Sequence, residues 1–464
     1  MDFPFVSIII VNYNGAHFLP VCLEALHAQT YPKDQFEVVV SDNASDDESL
    51  LLLEREYPWA RVLENGENLG FTSGNNVAIE ATNGKYVVLL NNDTAPKPGW
   101  LENMVKVAED HPKAGMVTGH LQLFYDQLDI QLHSDTVMPP GDSRDLGIQV
   151  FDVNSGAPRG VVQYLDGFYG WESHPSGKQF RWTKGHAKVG VPVPCDTDEW
   201  TLTLTLATSI HVGEGIPCQV SVDDQHIANI EISGSDPSDY CITLPLAFHG
   251  NAKPVVQNTG SIVFKDGSSR DRGTYIRNFE AFFETDNGQY DEVEEVFSGC
   301  GASLLIRREM VEEVGAFDDD FFMYYEDTDL AWRARLRDWK IVYAPAAIVR
   351  HIHCGTTEEW SPFFFFQVDR NRLTMVFKNG ESRQILCVWG RYLGRVALDA
   401  WVAMRALIRR APNWRAHASM LRVKARVLKS LFGWLPALLR KRRHIQTNRK
   451  VSPGDLRDWF VERS

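Results

Sequence analysis

At 464 residues the chain exceeds one ordinary domain and can bury a large core, so two or three domains are expected. Its 44% hydrophobic and 23% charged residues are those of an ordinary folded protein, and a net charge of -14 argues against general nucleic-acid binding. The 7 cysteines (Cys22, Cys195, Cys218, Cys241, Cys300, Cys354 and Cys387) are scattered and never form a CxxC pair, which argues against a zinc site or a disulfide framework.

The chain opens Met1-Asp2-Phe3-Pro4 with no basic or long apolar leader, so a cytoplasmic protein is the expectation. Val6 to Val11 reads as a strand, and Phe18 to Gln29 has helical spacing. A second strand, Phe36 to Ser41, closes on Asp42-Asn43-Ala44-Ser45-Asp46, and Glu48 to Tyr57 reads as a helix. A short strand at Arg61 to Leu63, a loop around Asn68-Leu69-Gly70 and a helix near Ser73 to Ala81 precede the run Tyr86-Val87-Val88-Leu89-Leu90. That run breaks into Asn91-Asn92-Asp93-Thr94, the sign of a buried parallel strand ending in a polar loop. Strands alternating with helices at this interval predict a doubly wound sheet with a nucleotide-binding half.

Asp93 then sits at a strand's C-terminal edge, where ligands of open α/β sheets gather and a carboxylate can hold a divalent cation against a diphosphate. A turn is the competing reading, because Asn-Asp-Thr also suits a loop. Asp327 lies where an aromatic stretch, Tyr324-Tyr325, gives way to the helical Glu326-Asp327-Thr328-Asp329-Leu330, so a helix cap competes with a catalytic role. Asp42 ends a strand, where a carboxylate can accept from a pyrimidine N3-H or simply form an Asx turn.

The motifs Val11-Asn12-Tyr13-Asn14, Ser41-Asp42-Asn43-Ala44-Ser45-Asp46, Asn68-Leu69-Gly70-Phe71 and Leu90-Asn91-Asn92-Asp93-Thr94, in this order, resemble the family 2 glycosyltransferases, in particular the bacterial rhamnosyltransferase-like branch. The resemblance resumes at Gly299-Cys300-Gly301-Ala302, continues through Val314-Gly315-Ala316-Phe317-Asp318 and Tyr325-Glu326-Asp327-Thr328-Asp329-Leu330, and ends near His351. It implies a glycosyltransferase A-type sheet and an inverting, metal-dependent transfer of a sugar, plausibly rhamnose, from a UDP-, dTDP- or GDP-linked donor to a glycan or lipid-linked acceptor. It further implies Mg²⁺ or Mn²⁺ held by Asp93 and His351, Asp327 as base with Glu326 beside it, and donor contacts from Val11, Tyr13, Asp42, Asn68, Asn76 and Asn92. Where the family often has an Asp this chain has Asn91, which thins the negative charge of the metal site. A non-catalytic carbohydrate-binding or scaffold protein on a degenerate transferase is the competing function.

Between these halves the texture changes: Trp200 to Leu206, Cys218 to Val222 and Ile227 to Ile232 alternate apolar and polar residues, as in an antiparallel sandwich. The expected organisation is therefore a donor-binding half over 1–160, an inserted β-sandwich domain over 161–283, an acceptor half over 284–380 and a basic amphipathic helical tail over 381–464. In that tail Ile385 to Ile408 and His417 to Phe432 read as helices, and Glu381 and Asp399 are the only acids before Asp455. Such helices either lie peripherally on an anionic membrane surface, at the inner face of the cell membrane, or pack on the catalytic domain or between subunits of a homo-oligomer.

Overall fold

The structure is a computed structural model that describes residues 3–194, 199–209, 215–277, 280–353, 360–409 and 414–463. Strand β1 (Val6–Asn12) is β-branched and buried along nearly its whole length, as a strand covered on both faces must be. With β2 (Phe36–Asp42), β3 (Arg61–Glu64) and β4 (Tyr86–Leu90) it forms a parallel sheet in the order β4-β1-β2-β3. Helices α1 (Leu19–His27), α2 (Ser49–Glu56) and α3 (Gly70–Glu80) lie between successive strands. After β5 (Thr94–Pro96), α4 (Trp100–Asp110) and β6 (Ala114–Leu123), the strand Ser303–Arg307 inserts antiparallel between β4 and β6 and makes the sheet mixed. Apolar clusters cover both faces, one around Ile8, Ile10 and Trp100, the other around Ile9, Leu89 and Leu330.

The chain divides into two units, one made of Met1–Leu121, Asn258–Arg272 and Tyr290–Ser464, the other of Gln122–Gln257 and Gly273–Gln289. The second is β-rich, as the alternation predicts: along Glu199–Ala207 the residues Trp200, Leu202, Leu204 and Leu206 point inward, while the threonines between them are more exposed. Its boundary differs from the expected 161. The strand Gln127–Ser134 pairs with both Gln179–Pro192 and Ile216–Val222, and Gln149–Asn154 pairs with both Gln179–Pro192 and Glu199–Ala207. These two strands are thus interior to the β-unit. Hydrogen bonding joins the strands into one 8-stranded sheet, with a large apolar cluster around Leu202, Leu204 and Val220 and a smaller one around Phe151, Phe180 and Trp182.

Residues 258–272 belong to the first unit because Ser261–Phe264 pairs with Phe460–Val461. The rest of that unit is helical: α5 (Arg308–Val314), α6 (Glu326–Leu336), then, after the strand Lys340–His351, α7 (Pro362–Asn379), α8 (Ser382–Ile408) and α9 (Trp414–Asn448). The expected separate tail over 381–464 is corrected here. Val427, Leu431 and Leu438 of α9 are buried with Leu373 and Val376 of α7, and Arg442 donates to the carbonyls of Phe377 (2.7 Å) and Gly380 (2.8 Å). Among the described residues no helix is long and apolar enough to cross a membrane. Cys22, Cys218, Cys241, Cys300 and Cys387 are free thiols, and Cys195 and Cys354 lie outside the described residues.

Candidate active site

Where β4 ends, the Asn91 N–H donates to the Ala302 carbonyl (3.1 Å) and the Thr94 hydroxyl donates to the Asn91 carbonyl (2.6 Å), turning the chain into β5. β5 pairs antiparallel with the end of Lys340–His351, Thr94 opposite His351, and the Ile352 N–H donates to the Asp93 carbonyl (3.1 Å). This pairing brings Asp93 Oδ1 to 3.2 Å from His351 Nε2. Both residues are buried, and Asp93 Oδ1 accepts no hydrogen bond of good geometry. Asn91 Nδ2 stands 3.5 Å from the same His351 nitrogen. A buried carboxylate oxygen with no donor beside an imidazole nitrogen fits a divalent cation of the Mg²⁺ or Mn²⁺ type, which keeps most of its coordination sphere for phosphate oxygens and water. Among the described residues no group of three or more His, Cys, Asp and Glu side chains gathers around one point.

Asp327 lies in the first turn of α6 and is held from two sides. The Thr328 N–H (2.6 Å) and hydroxyl (3.1 Å) donate to Oδ1, and the Gly301 N–H (3.3 Å) donates to Oδ2. Gly301 is next to Ala302, whose carbonyl holds Asn91, so the loop 299–302 links both acidic centres. Burial pushes the Asp327 carboxyl up, although these amides pull it back, and burial together with the Asp327 charge pushes Glu326 well above the ordinary carboxylate range. Glu326 Oε2 is buried with no hydrogen-bond partner. Asp327, the member with donors, therefore ionises first, and Glu326 retains its proton longer. Asp329 has a different place: it is fully buried against Arg333 Nε (2.9 Å), Lys378 Nζ (3.0 Å) and Asn379 Nδ2 (2.9 Å).

The residues just ahead of Asp327 carry a feature absent from the sequence reading. Phe322 (φ 63°), Tyr324 (φ 69°) and Tyr325 (φ 68°) all adopt left-handed backbone, which bulky residues rarely do. The buried Asn371 of α7 donates from Nδ2 to the carbonyls of Phe321 (2.9 Å), Met323 (2.8 Å) and Tyr324 (2.8 Å). Arg370 donates to those of Asp320 and Phe321 (both 3.0 Å). In the sequence Asn371 is flanked by Arg370 and Arg372 within Asp369-Arg370-Asn371-Arg372, so nothing set it apart from an ordinary polar helical turn.

The expected donor-side residues are placed unequally. Side chains tie together the ends of β4, β1 and β2: Asn92 Nδ2 donates to Asn12 Oδ1 (2.8 Å) and Asn12 Nδ2 to Asp42 Oδ2 (3.0 Å). A Cβ on Gly15 would come within 2.2 Å of Asn92 Nδ2, so only glycine lets the loop pass. Asp42 is fully buried and also accepts from the Ser45 N–H (2.9 Å) and hydroxyl (2.6 Å), the arrangement of an Asx turn. Asn68 accepts from the Gly70 N–H (3.0 Å), and Asn76 exchanges hydrogen bonds with the Phe317 backbone and donates to Asp319. The first amides of α3 are taken: the N–H groups of Phe71 (2.8 Å) and Thr72 (3.1 Å) donate to the Phe322 carbonyl. Val11 is half-buried against Gly74, and the Tyr13 ring is exposed just past β1.

The family model described as glycosyl transferase family 2 matches residues 7–159, and that of glycosyl transferase family group 2 matches residues 239–435. Asp93 falls in the first match, and Glu326, Asp327 and His351 fall in the second. Glycosyltransferase AglE of Haloferax volcanii is 34% identical over 125 residues, 26% of this chain and 41% of that protein. The N-acetylglucosaminyl-diphospho-decaprenol L-rhamnosyltransferase of Mycobacterium tuberculosis is 47% identical over 57 residues, 12% of this chain and 19% of that protein. The match thus spans less than half the length of these curated relatives. Among solved structures, the mannosyltransferase PcManGT from Pyrobaculum calidifontis in complex with GDP-Man and Mn²⁺ aligns over 93% of this chain and 87% of that one, at 13% identity and a TM-score of 0.40.

Proposed function

Because this chain belongs to the family 2 glycosyltransferases, we propose that it transfers a sugar from a nucleotide diphosphate donor to a glycan or lipid-linked acceptor hydroxyl by direct displacement, with inversion. The observation that carries the reading is the pairing of two acidic centres on one loop system: Asp93 with His351, and Asp327 with Glu326. Asp327 accepts the proton of the acceptor hydroxyl. Its burial makes it a stronger base than a free aspartate, and a positioned base contributes roughly 10²- to 10⁴-fold. Glu326, which holds its proton longer, orients the acceptor by donating to it. Asp93 and His351 would hold Mg²⁺ or Mn²⁺, which supplies charge neutralisation for the departing diphosphate when bound. The exposed Tyr13 ring offers a face to the donor base.

The identity to a rhamnosyltransferase over 57 residues supports rhamnose as the sugar, and a UDP-, dTDP- or GDP-linked form as donor. A cytoplasmic enzyme attached peripherally to the inner face of the membrane completes the reading, since that is where a lipid-linked acceptor is met. Release of labelled sugar from each nucleotide, with Mg²⁺ or Mn²⁺, is the test. Asp327→Asn is expected to keep donor affinity while turnover falls on the order of 10²-fold or more, because only proton removal is lost. Unchanged turnover would return Asp327 to a cap, and no sugar release from any donor would favour the scaffold reading.

A further inference from the structure

Helix α8 leaves one face uncovered. Leu386, Leu393, Trp401, Met404 and Ile408, spaced seven, eight, three and four apart, fall on one stripe of the helix with Gly390 and Ala397 between them. Leu386 and Ile408, near the two ends, are 75% and 74% exposed, so the stripe faces solvent over the full length of the helix. Its opposite side is used: Val388, Tyr392, Ala403 and Ala406 are buried. Arg391, Arg405 and Arg409 are exposed along the flank of the stripe. The one acid of α8, Asp399, is turned away, pairing with Arg395 (3.3 Å) and with Lys424 of α9, and α9 contains no acid at all.

An apolar stripe, an arginine flank and the absence of outward carboxylates are complementary to one kind of surface, acyl chains under anionic headgroups.

We propose that the outer face of α8 docks on an anionic lipid bilayer, with Leu386, Leu393, Trp401, Met404 and Ile408 entering the interface and the flanking Arg391, Arg405 and Arg409 reaching the headgroup phosphates. The proposal deepens the peripheral attachment stated above and rests on that reading. It assigns attachment to one helix face of a body that is otherwise held together by α7 and α9.

Flotation of the full chain with vesicles of phosphatidylcholine, alone or mixed with phosphatidylglycerol, tests it. The protein is expected to float with the mixed vesicles at low salt and to stay behind with phosphatidylcholine alone. The triple variant Leu386→Glu/Leu393→Glu/Met404→Glu is expected to remain at the bottom with its melting temperature unchanged. Should the triple variant lose its fold, Leu386→Glu and Met404→Glu singly, at exposed positions, carry the test. Arg391→Ala and Arg405→Ala should each weaken binding about fivefold. A parent protein that ignores the mixed vesicles overturns the proposal. So does a parent dimer, seen by light scattering, that the triple variant dissociates while vesicle binding is unaffected, for the face would then belong to a second copy. Donor hydrolysis is followed in the same preparations. Its loss with docking retained strikes the transferase reading alone, and the converse strikes this proposal alone.

Discussion

Replacing Asn371 by Ala removes the donors that hold the carbonyls of Phe321, Met323 and Tyr324, and the loop they hold is strained. Each left-handed residue other than glycine costs about 1–2 kcal/mol, so Phe322, Tyr324 and Tyr325 together oppose the native loop by about 3–6 kcal/mol. An amide with two hydrogens makes bonds worth about 2–3 kcal/mol in all, a large part of what offsets that strain. At about 1.4 kcal/mol per factor of ten, the variant should turn over roughly 30- to 100-fold more slowly, with donor affinity little changed because Asp93 and His351 stand on other elements. A pH profile separates positioning from simple loss of stability. Burial raises the Asp327 carboxyl, so the parent's turnover should rise with pH through a range above that of an ordinary Asp. A loosened loop admits water, and the rise should move to lower pH. Adding Tyr324→Gly, which takes positive φ without steric cost, should restore part of the rate. Steady-state transfer by the folded fraction is the assay. If Asn371→Ala lowers only the melting temperature, with turnover and pH profile intact, the loop is not what positions the base.

Asp93→Ala should abolish metal-supported donor binding in calorimetry with Mn²⁺, since the diphosphate then meets uncompensated charge; binding as tight as the parent's would remove Asp93 from the metal site. Lys378→Met leaves Asp318 and Asp329 buried with fewer partners and should cost about 3 kcal/mol in urea unfolding, at the low end for a broken buried pair because Arg333 and Lys441 remain. Against the effect of burial, Lys378 and Lys441 hold the Asp318 carboxyl well below its ordinary range, so this stability is present above that range and is lost as pH falls through it. An unfolding curve of Lys378→Met that matches the parent at neutral pH would contradict this. The fragment 161–283 should fail to fold alone, because it omits Gln127–Ser134 and Gln149–Asn154 from the middle of their sheet; a cooperative melt would contradict the boundary drawn here.

The parallel core was legible because a strand covered on both faces leaves a continuous apolar run, as in Ile8-Ile9-Ile10 and Val87-Val88-Leu89. The acidic centres were legible through motif order. Their partners were not: whether Asp42 faces a ligand or a Ser45 hydroxyl depends on how three strand ends meet, and the sequence carries equal signs of both. The strain at Phe322 and Tyr325 was hidden for a similar reason. No turn residue marks it, because the force that holds it comes from α7, far along the chain. The β-unit boundary was missed through polar dilution. Leu128, Ile130 and Leu132 do alternate, but Asp129 and Gln131 between them resemble a loop.

Lys441 pairs with Asp318 and, at 2.6 Å, with Asp320, 121 positions earlier, while Phe460–Val461 completes a strand pair with residues 263 and 264. During synthesis the parallel sheet can therefore assemble well before the loop ahead of Asp327 has all its supports. Contacts this distant in sequence form late, since their loop-closure entropy is met before they yield stability. A nascent or interrupted chain would present a folded sheet with the loop ahead of Asp327 unbraced. The loop ahead of Asp327 is thus completed only after α9 has left the ribosome.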